Sequence, residues 1–155
     1  MKKLISLAMA CLMCLSLVGC GTEYADTNGD DDFTLQTITD ENIIKLDTGA
    51  SGLNYSEESV DDVTYSSEYS SKSFNGVEQI YLTNFLTPSD VHVYIGTLNV
   101  KSGNFKLVAV NDDKIIHEFD LDTFNEEFLF EDIEGSFSIH VAGESAAFDF
   151  HIDIY

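Results

Sequence analysis

The sequence predicts an all-β fold: an antiparallel β-sandwich of about seven to nine strands, immunoglobulin-like in arrangement. After residue 40, apolar and polar residues alternate in short runs, as in half-buried strands. Turn-forming residues separate these runs at intervals of about 8–12 residues, which is typical of sandwiches. No stretch keeps a helical period for three turns, so we expect at most single helical turns, at residues 39–44 and 123–128.

The clearest predicted strand pair lies at the end of the chain. A turn at Gly143-Glu144-Ser145-Ala146 would join residues 136–142 to residues 147–154 in a hairpin. In that register the side chains pointing inward are Phe137, Ile139, Val141, Phe148, Phe150 and Ile152. The side chains that point outward, to a solvent-exposed face, are Ser138, His140, Asp149, His151, Asp153 and Tyr155.

A second hairpin is predicted around Asn111-Asp112-Asp113 as a three-residue loop, with Asp113 in the left-handed conformation. The same register places Lys106 opposite Glu118, a favourable cross-strand charge pair.

The first residues have the pattern of an export signal. Lys2 and Lys3 precede an apolar run from Leu4 to Val18, which is shorter than the roughly 20 residues that a membrane-spanning helix needs. Leu17-Val18-Gly19-Cys20 resembles the lipobox of bacterial lipoproteins. The resemblance implies cleavage between Gly19 and Cys20, and a diacylglyceryl group on the Cys20 thiol, with palmitate among the acyl chains of the anchor. An ordinary secretory signal and a permanent membrane helix are the alternatives.

This resemblance divides the chain into three parts: a lipoprotein signal peptide at 1–19, a lipidated N-terminus with a flexible acidic linker at 20–40, and the β-sandwich domain at 41–155. In general character the chain resembles small bacterial lipoproteins that join a lipobox, an acidic tether and a compact β domain. The implied location is extracytoplasmic, with the lipid anchored in the bacterial cell membrane. Two acyl chains give lasting membrane attachment where one does not.

The charge of the chain narrows the choice of partners. The whole sequence contains 7 lysines and arginines and 28 acidic residues, for a formal net charge of −21. Nucleic-acid binding depends on cations that displace phosphate counterions, so we expect no nucleic-acid partner. We expect instead another protein of the envelope or cell surface.

Two groups of residues suggest a cation-binding site. His140, Asp149 and His151 would lie together on the outer face of the last hairpin, where two imidazoles and a carboxylate suit a divalent metal. Asp26, Asn28 and Asp30 have the first spacings of a calcium loop, but Asp31 and Thr37 stand where that loop needs glycine and a bidentate acid. Charge pairing on a solvated sheet and a plain acidic linker are the simpler explanations, so we predict no cofactor apart from the lipid on Cys20.

No catalytic residues are predicted. Ser145 lies in a predicted hairpin loop and lacks the strand–turn–helix context of a hydrolase nucleophile. We therefore expect a non-enzymatic binding module, with a carbohydrate-binding accessory domain and a divalent-cation sensor as alternatives. In the carbohydrate alternative the stacking side chains would be tyrosines, because the chain has no tryptophan; the candidates are Tyr55, Tyr65, Tyr69, Tyr81 and Tyr94.

Overall fold

Long antiparallel strands dominate the computed structural model, which describes residues 37–57 and 65–155. A short helix, α1 (Asp40–Lys45), comes first. The strands that follow are β1 (Asn54–Glu57), β2 (Tyr65–Asn111), β3 (Lys114–Glu118) and β4 (Phe124–Ile154). The predicted antiparallel all-β sandwich is confirmed, whereas the immunoglobulin-like strand order stays a prediction.

β2 and β4 form one long ribbon that rolls back on itself. Residues 65–97 pair with residues 154–124 in antiparallel register, from Tyr65 opposite Ile154 to Thr97 opposite Phe124. Residues 93–111 then pair with the other side of residues 154–137, so Val93 has both Phe128 and Ile154 as partners. We call residues 65–85 and 89–111 the two arms of β2, and residues 124–133 and 135–154 the two arms of β4. Rolling leaves few strand edges unpaired.

The buried core is formed by the apolar side chains that alternate with polar ones along the strands. The 135–154 arm of β4 has a continuous neighbour on each side, and its inward side chains are buried. Aromatic rings fill much of the core; Phe105 and Phe148, for example, have ring centroids 4.4 Å apart. The inward positions predicted for this segment are confirmed: Phe137, Ile139, Val141, Phe148, Phe150 and Ile152.

The predicted hairpin turn at 143–146 is wrong. The chain bends there without reversing: Gly143 pairs with Gly76 and Phe105, and Ala146 pairs with Phe74. A side chain at residue 143 would meet the Phe74 ring, since a Cβ there lies 2.7 Å from its Cδ1 atom. Glycine therefore serves close packing at a bend of two long strands.

The hairpin between β2 and β3 is shorter than predicted. Asn111 pairs with Lys114, so the loop has the two residues Asp112 and Asp113, and the left-handed residue is Asp112 rather than Asp113. Lys106 Nζ does lie 2.9 Å from Glu118 Oε2, as predicted, but the predicted register is wrong, since the residue opposite Glu118 is Val108 rather than Lys106.

Helix α1 covers part of the outer face of the sheet. Thr39 caps it in a capping box with Asn42, and Leu46 ends it in the left-handed conformation. Ile43 is fully buried in a small second cluster formed with Ile38, Val77, Val108, Val110 and Ala142. The turn predicted at 39–44 is thus confirmed; the one at 123–128 is wrong, since β4 begins at Phe124.

The segment before the helix is also fixed to the sheet. Thr37 and Ile38, which the sequence analysis placed in the linker, donate backbone N–H groups to Glu144 Oε1 at 2.6 and 3.2 Å. The other carboxylate oxygen of Glu144 accepts from the Asn104 amide at 3.1 Å. Glu144 therefore joins the incoming chain to the bend of β4.

Candidate functional site

The lipobox and the possible calcium loop lie outside the described residues. This applies to residues 17–20, with the cleavage site at Gly19 and the lipidated Cys20, and to Asp26, Asn28 and Asp30. In the part of the chain that the structure describes, no helix is long and apolar enough to cross a membrane.

His140 is buried, although its outward direction was predicted correctly. Helix α1 covers this part of the outer face, and the side chain is 2% exposed. Its Nδ1 atom lies 2.8 Å from the Ile43 carbonyl oxygen, and its Nε2 atom lies 2.9 Å from the Ser138 hydroxyl. The neutral ring satisfies both contacts, with Nδ1–H donating and Nε2 accepting. Burial lowers the pKa of His140, and the bond to Ile43 opposes that shift.

The register separates His140 from the other two predicted metal ligands. His140 has Gln79 and Val108 as cross-strand partners, whereas Asp149 has Ser70 and Asn99, so the predicted juxtaposition of His140 with Asp149 is wrong. Asp149 forms an ion pair with Lys101, and His151 Nε2 lies 3.0 Å from Asp153. Residues 37–57 and 65–155 contain no group of three or more His, Cys, Asp or Glu side chains that could hold a metal.

A groove of about 380 Å³ opens beside strand β1. Its floor follows from the register, because Ser56, Glu68, His151 and Thr97 are successive partners across four adjacent strand segments: β1, the first arm of β2, the second arm of β4 and the second arm of β2. Asn54, Ser70 and Asp149 form the next row along. We call this the β1 groove; the residues that line it are Asn54, Tyr55, Ser56, Glu68, Tyr69, Ser70, Thr97, Asp149, Phe150 and His151.

Tyr55 lies on β1 between the two polar rows, but its ring points to the opposite face of the sheet, because it pairs with the buried Tyr69 and successive side chains of a strand alternate. Its ring lies 6.1 Å from that of Tyr69, which stacks on Phe150 at 5.0 Å. Among the described residues β1 pairs with β2 alone, so Tyr55 has sheet on one side and stays 68% exposed. An exposed ring supported from behind by buried aromatics is a firm surface for stacking.

A second concavity of about 280 Å³ shares Tyr55 and Tyr69 with the β1 groove. Here one of the Tyr65 and Tyr69 hydroxyls donates to the other, and the remaining hydroxyl proton is donated to the Ile80 carbonyl oxygen, which lies 3.1 Å from the Tyr65 hydroxyl oxygen and 3.4 Å from that of Tyr69. Both hydroxyls are therefore already engaged within the protein.

The five tyrosines proposed as sugar platforms thus have different environments. Tyr55 is the exposed one, and Tyr69 is buried beneath it. Tyr65 and Tyr81 pack on each other at 5.3 Å at the margin of the core. Tyr94 lies elsewhere on the sheet, where its hydroxyl donates to Asn125 at 2.5 Å.

A polar cluster surrounds Glu127, and the sequence pattern does not predict it. One oxygen of this carboxylate accepts from the Tyr155 hydroxyl at 2.7 Å and lies 2.8 Å from His92 Nδ1. The His92 and Tyr155 rings stack at 5.2 Å. These bonds, that from Tyr155 foremost, lower the pKa of Glu127. No sequence spacing indicates the cluster, because His92 in β2, Glu127 in β4 and Tyr155 just after the end of β4 are far apart along the chain.

Comparison with known proteins identifies no family for the chain. No protein-family model and no curated protein matches the chain. Among solved structures it is similar to a cupin superfamily protein from Desulfitobacterium hafniense DCB-2, at 14% identity and a TM-score of 0.34, over 65% of this chain and 74% of that one. So low a TM-score does not establish a common fold, and no property of that protein is carried over here.

Proposed function

We propose that the chain is an extracytoplasmic lipoprotein that acts as a non-enzymatic binding module and takes a component of the cell envelope into the β1 groove. The lipobox at residues 17–20 supports the anchor. The groove supports the binding role, and it is the observation that carries the proposal: about 380 Å³, lined by polar side chains from four adjacent strands. That volume lies within the range of about 300–1,000 Å³ common for small-molecule sites.

The lining of the groove favours a carbohydrate over a protein partner. Hydroxyl and amide side chains from Asn54, Ser56, Ser70 and Thr97 both donate and accept hydrogen bonds, as the hydroxyl groups of a sugar require. On the other face of β1, beside the second concavity, the exposed Tyr55 ring offers a flat apolar surface on which the C–H face of a further sugar ring could stack. A protein partner held through the edge of β1 that no other described strand pairs with is the second candidate, favoured by the exposure of the β1 side chains.

The divalent-cation alternative has weaker support. A metal at His140 would need to displace helix α1 and break both hydrogen bonds of the ring. We therefore expect zinc to leave the melting temperature of the protein unchanged. A stabilising shift that His151→Ala abolishes would revive the cation hypothesis.

Two measurements test the anchor. Mass spectrometry of protein purified from its host's membranes should find an N-terminal Cys20 bearing diacylglycerol. Metabolic labelling with palmitate should fail for Cys20→Ala and succeed for Cys14→Ala, the matched control within the signal peptide. A free thiol at Cys20, or a mature chain starting elsewhere, contradicts the proposal.

A glycan array tests the groove. We expect binding to at least one envelope saccharide, and a loss of about tenfold in Asn54→Ala, since losing an amide that pairs with sugar hydroxyls costs about 1–3 kcal/mol. Asn84→Ala is the matched control, because Asn84 is also exposed but does not line the groove. Equal losses in both variants, or an array without any bound glycan, would count against a carbohydrate site.

A further inference from the structure

We infer that the second concavity binds a small trimethylammonium cation of about the size of choline. This concavity of about 280 Å³ lies on the face of β1 opposite to the β1 groove, so the inference goes beyond the proposed function and does not depend on it. We call it the tyrosine cleft; the residues that line it are Leu53, Tyr55, Tyr65, Tyr69, Glu78, Gln79 and Ile80.

The two walls of the tyrosine cleft come from different parts of the sheet. On one wall, Tyr55 lies opposite the buried Tyr69. On the other wall, Glu78 lies opposite the fully buried Val141. Because directly opposite side chains share one face of a sheet, Tyr55 and Glu78 both point towards the core side rather than towards the outer face. Both are exposed, so they border the opening of the cleft.

Aromatic rings supply most of one wall. The Tyr55 ring is exposed and has the Tyr69 ring 6.1 Å behind it. The hydroxyl protons of Tyr65 and Tyr69 are both used within the protein, one between the two hydroxyls and one on the Ile80 carbonyl oxygen. These two residues therefore offer ring surface rather than hydroxyl donors to a ligand. The face of an aromatic ring is electron-rich and attracts a cation placed within about 6 Å of its centre.

Glu78 adds a negative charge to the cleft. Its side chain is exposed and forms no hydrogen bond or ion pair with any other described residue. No lysine or arginine is among the described lining residues, so no protein cation neutralises this carboxylate from within the cleft. A concave surface with negative charge concentrates cations, and a ligand cation here is attracted by both the rings and the carboxylate.

The lining favours a trimethylammonium group over a metal ion or a neutral ligand. A metal ion needs several histidine or carboxylate ligands, whereas the described lining has one carboxylate and no histidine. A neutral sugar stacked on Tyr55 would leave the charge of Glu78 unmatched. A trimethylammonium group has no N–H that needs an acceptor, and its methyl groups pack against apolar side chains such as Leu53 and Ile80. The small volume of the cleft also suits a small ligand.

Calorimetric titration with choline and 3,3-dimethylbutan-1-ol tests the inference, because the alcohol has the same shape as choline without the charge. We expect choline to bind about tenfold more tightly than the alcohol, the effect of a cation on a partly desolvated aromatic wall. Tyr55→Ala should weaken choline binding about tenfold, whereas Tyr55→Phe, which keeps the ring, should retain most of the affinity. Tyr155→Ala is the matched control, since Tyr155 is also exposed but does not line the cleft.

The role of the carboxylate has its own test. Glu78→Gln should weaken choline binding by about three- to fivefold, as expected for one solvent-screened charge, while leaving the alcohol unaffected. Glu126→Gln, an exposed acid outside the cleft lining, is the matched control. Phosphocholine, which has the same cation with an added phosphate, should bind more weakly than choline because Glu78 repels the phosphate.

Three results would overturn the inference. Equal affinities for choline and the alcohol would show that the cleft does not select for charge. Choline binding that neither Tyr55→Ala nor Glu78→Gln weakens would place the cation elsewhere on the protein. Phosphocholine binding more tightly than choline would assign the site to a phosphate-bearing head group, such as that of a lipid, instead of a simple cation. None of these results bears on glycan binding in the β1 groove, which the Asn54→Ala comparison tests separately.

Discussion

His140 is the residue whose chemistry depends most on its buried position. Burial lowers its pKa below the ordinary value of 6.5, so on acidification the unfolded chain takes up this proton before the folded chain does. The contribution of His140 to folding is therefore complete above about pH 6.5 and is lost progressively as the pH falls towards the lowered pKa.

We expect His140→Asn to flatten the pH dependence of stability between about pH 7.5 and pH 5. The variant should also lose about 1–3 kcal/mol at neutral pH, because contacts to Ile43 and Ser138 are weakened. Urea-unfolding midpoints at each pH give both quantities. Leu98→Ala is the control, since it removes buried apolar contacts without a titratable group, and it should lower stability while keeping the wild-type slope. Parallel curves for wild type and His140→Asn would contradict this account.

At the scale of an element, helix α1 is held by packing rather than by its own propensity. Six residues are too few for a stable isolated helix, and Ile43 is the side chain that α1 buries completely. We expect Ile43→Ala to cost about 2–4 kcal/mol of unfolding free energy. The neighbouring Ile44, which is only partly buried, provides the same substitution as a control with a smaller loss. Chemical denaturation measures both, and equal losses would show that α1 is not anchored through Ile43.

The capping of α1 is a separate contribution. Thr39 accepts from the Asn42 backbone N–H at 3.3 Å, and the Asn42 side chain accepts from the Thr39 N–H at 3.0 Å. Thr39→Ala should lower stability by about 1 kcal/mol, while Thr39→Ser should retain most of it. Unfolding midpoints that are the same for both variants would argue against the cap.

The strands show which parts of the fold local sequence can predict. Alternation correctly identified the inward side of residues 137–141 and 148–154, because the period of a strand depends on neighbouring residues alone. It failed at 143–146, where Gly143 and Ser145 suit a reversing turn and a bend equally well. Pairing with residues 65–85, far away in sequence, decides in favour of the bend.

The candidate site was only partly predictable for the same reason. Tyr55 and Asp149 were recognised as polar or aromatic surface residues, but their position in one groove depends on a register across four strands. His140 was correctly placed on the outer face, and its burial depends on Ile43, nearly a hundred residues earlier. No periodicity within the strand carries that information.

At the scale of the whole molecule, charge is the dominant property. A formal net charge of −21 on 155 residues produces self-repulsion that favours expanded states. Salt screens this repulsion, with a Debye length near 10 Å at about 0.1 M. We therefore expect the melting temperature to rise between about 20 mM and 500 mM sodium chloride. Calorimetry measures this directly, and a fall in melting temperature would mean that ion pairs such as Lys106 with Glu118 outweigh the repulsion.

The central claim is that the β1 groove is the binding surface of this protein, and nuclear magnetic resonance tests it most directly. The isotope-labelled protein would be titrated with soluble saccharides released from the cell envelope of its host. We predict that the largest amide shifts fall on Asn54, Tyr55, Glu68, Ser70 and His151, which line the groove. Shifts confined to surfaces away from β1, or a spectrum that the saccharides leave unchanged, would contradict it.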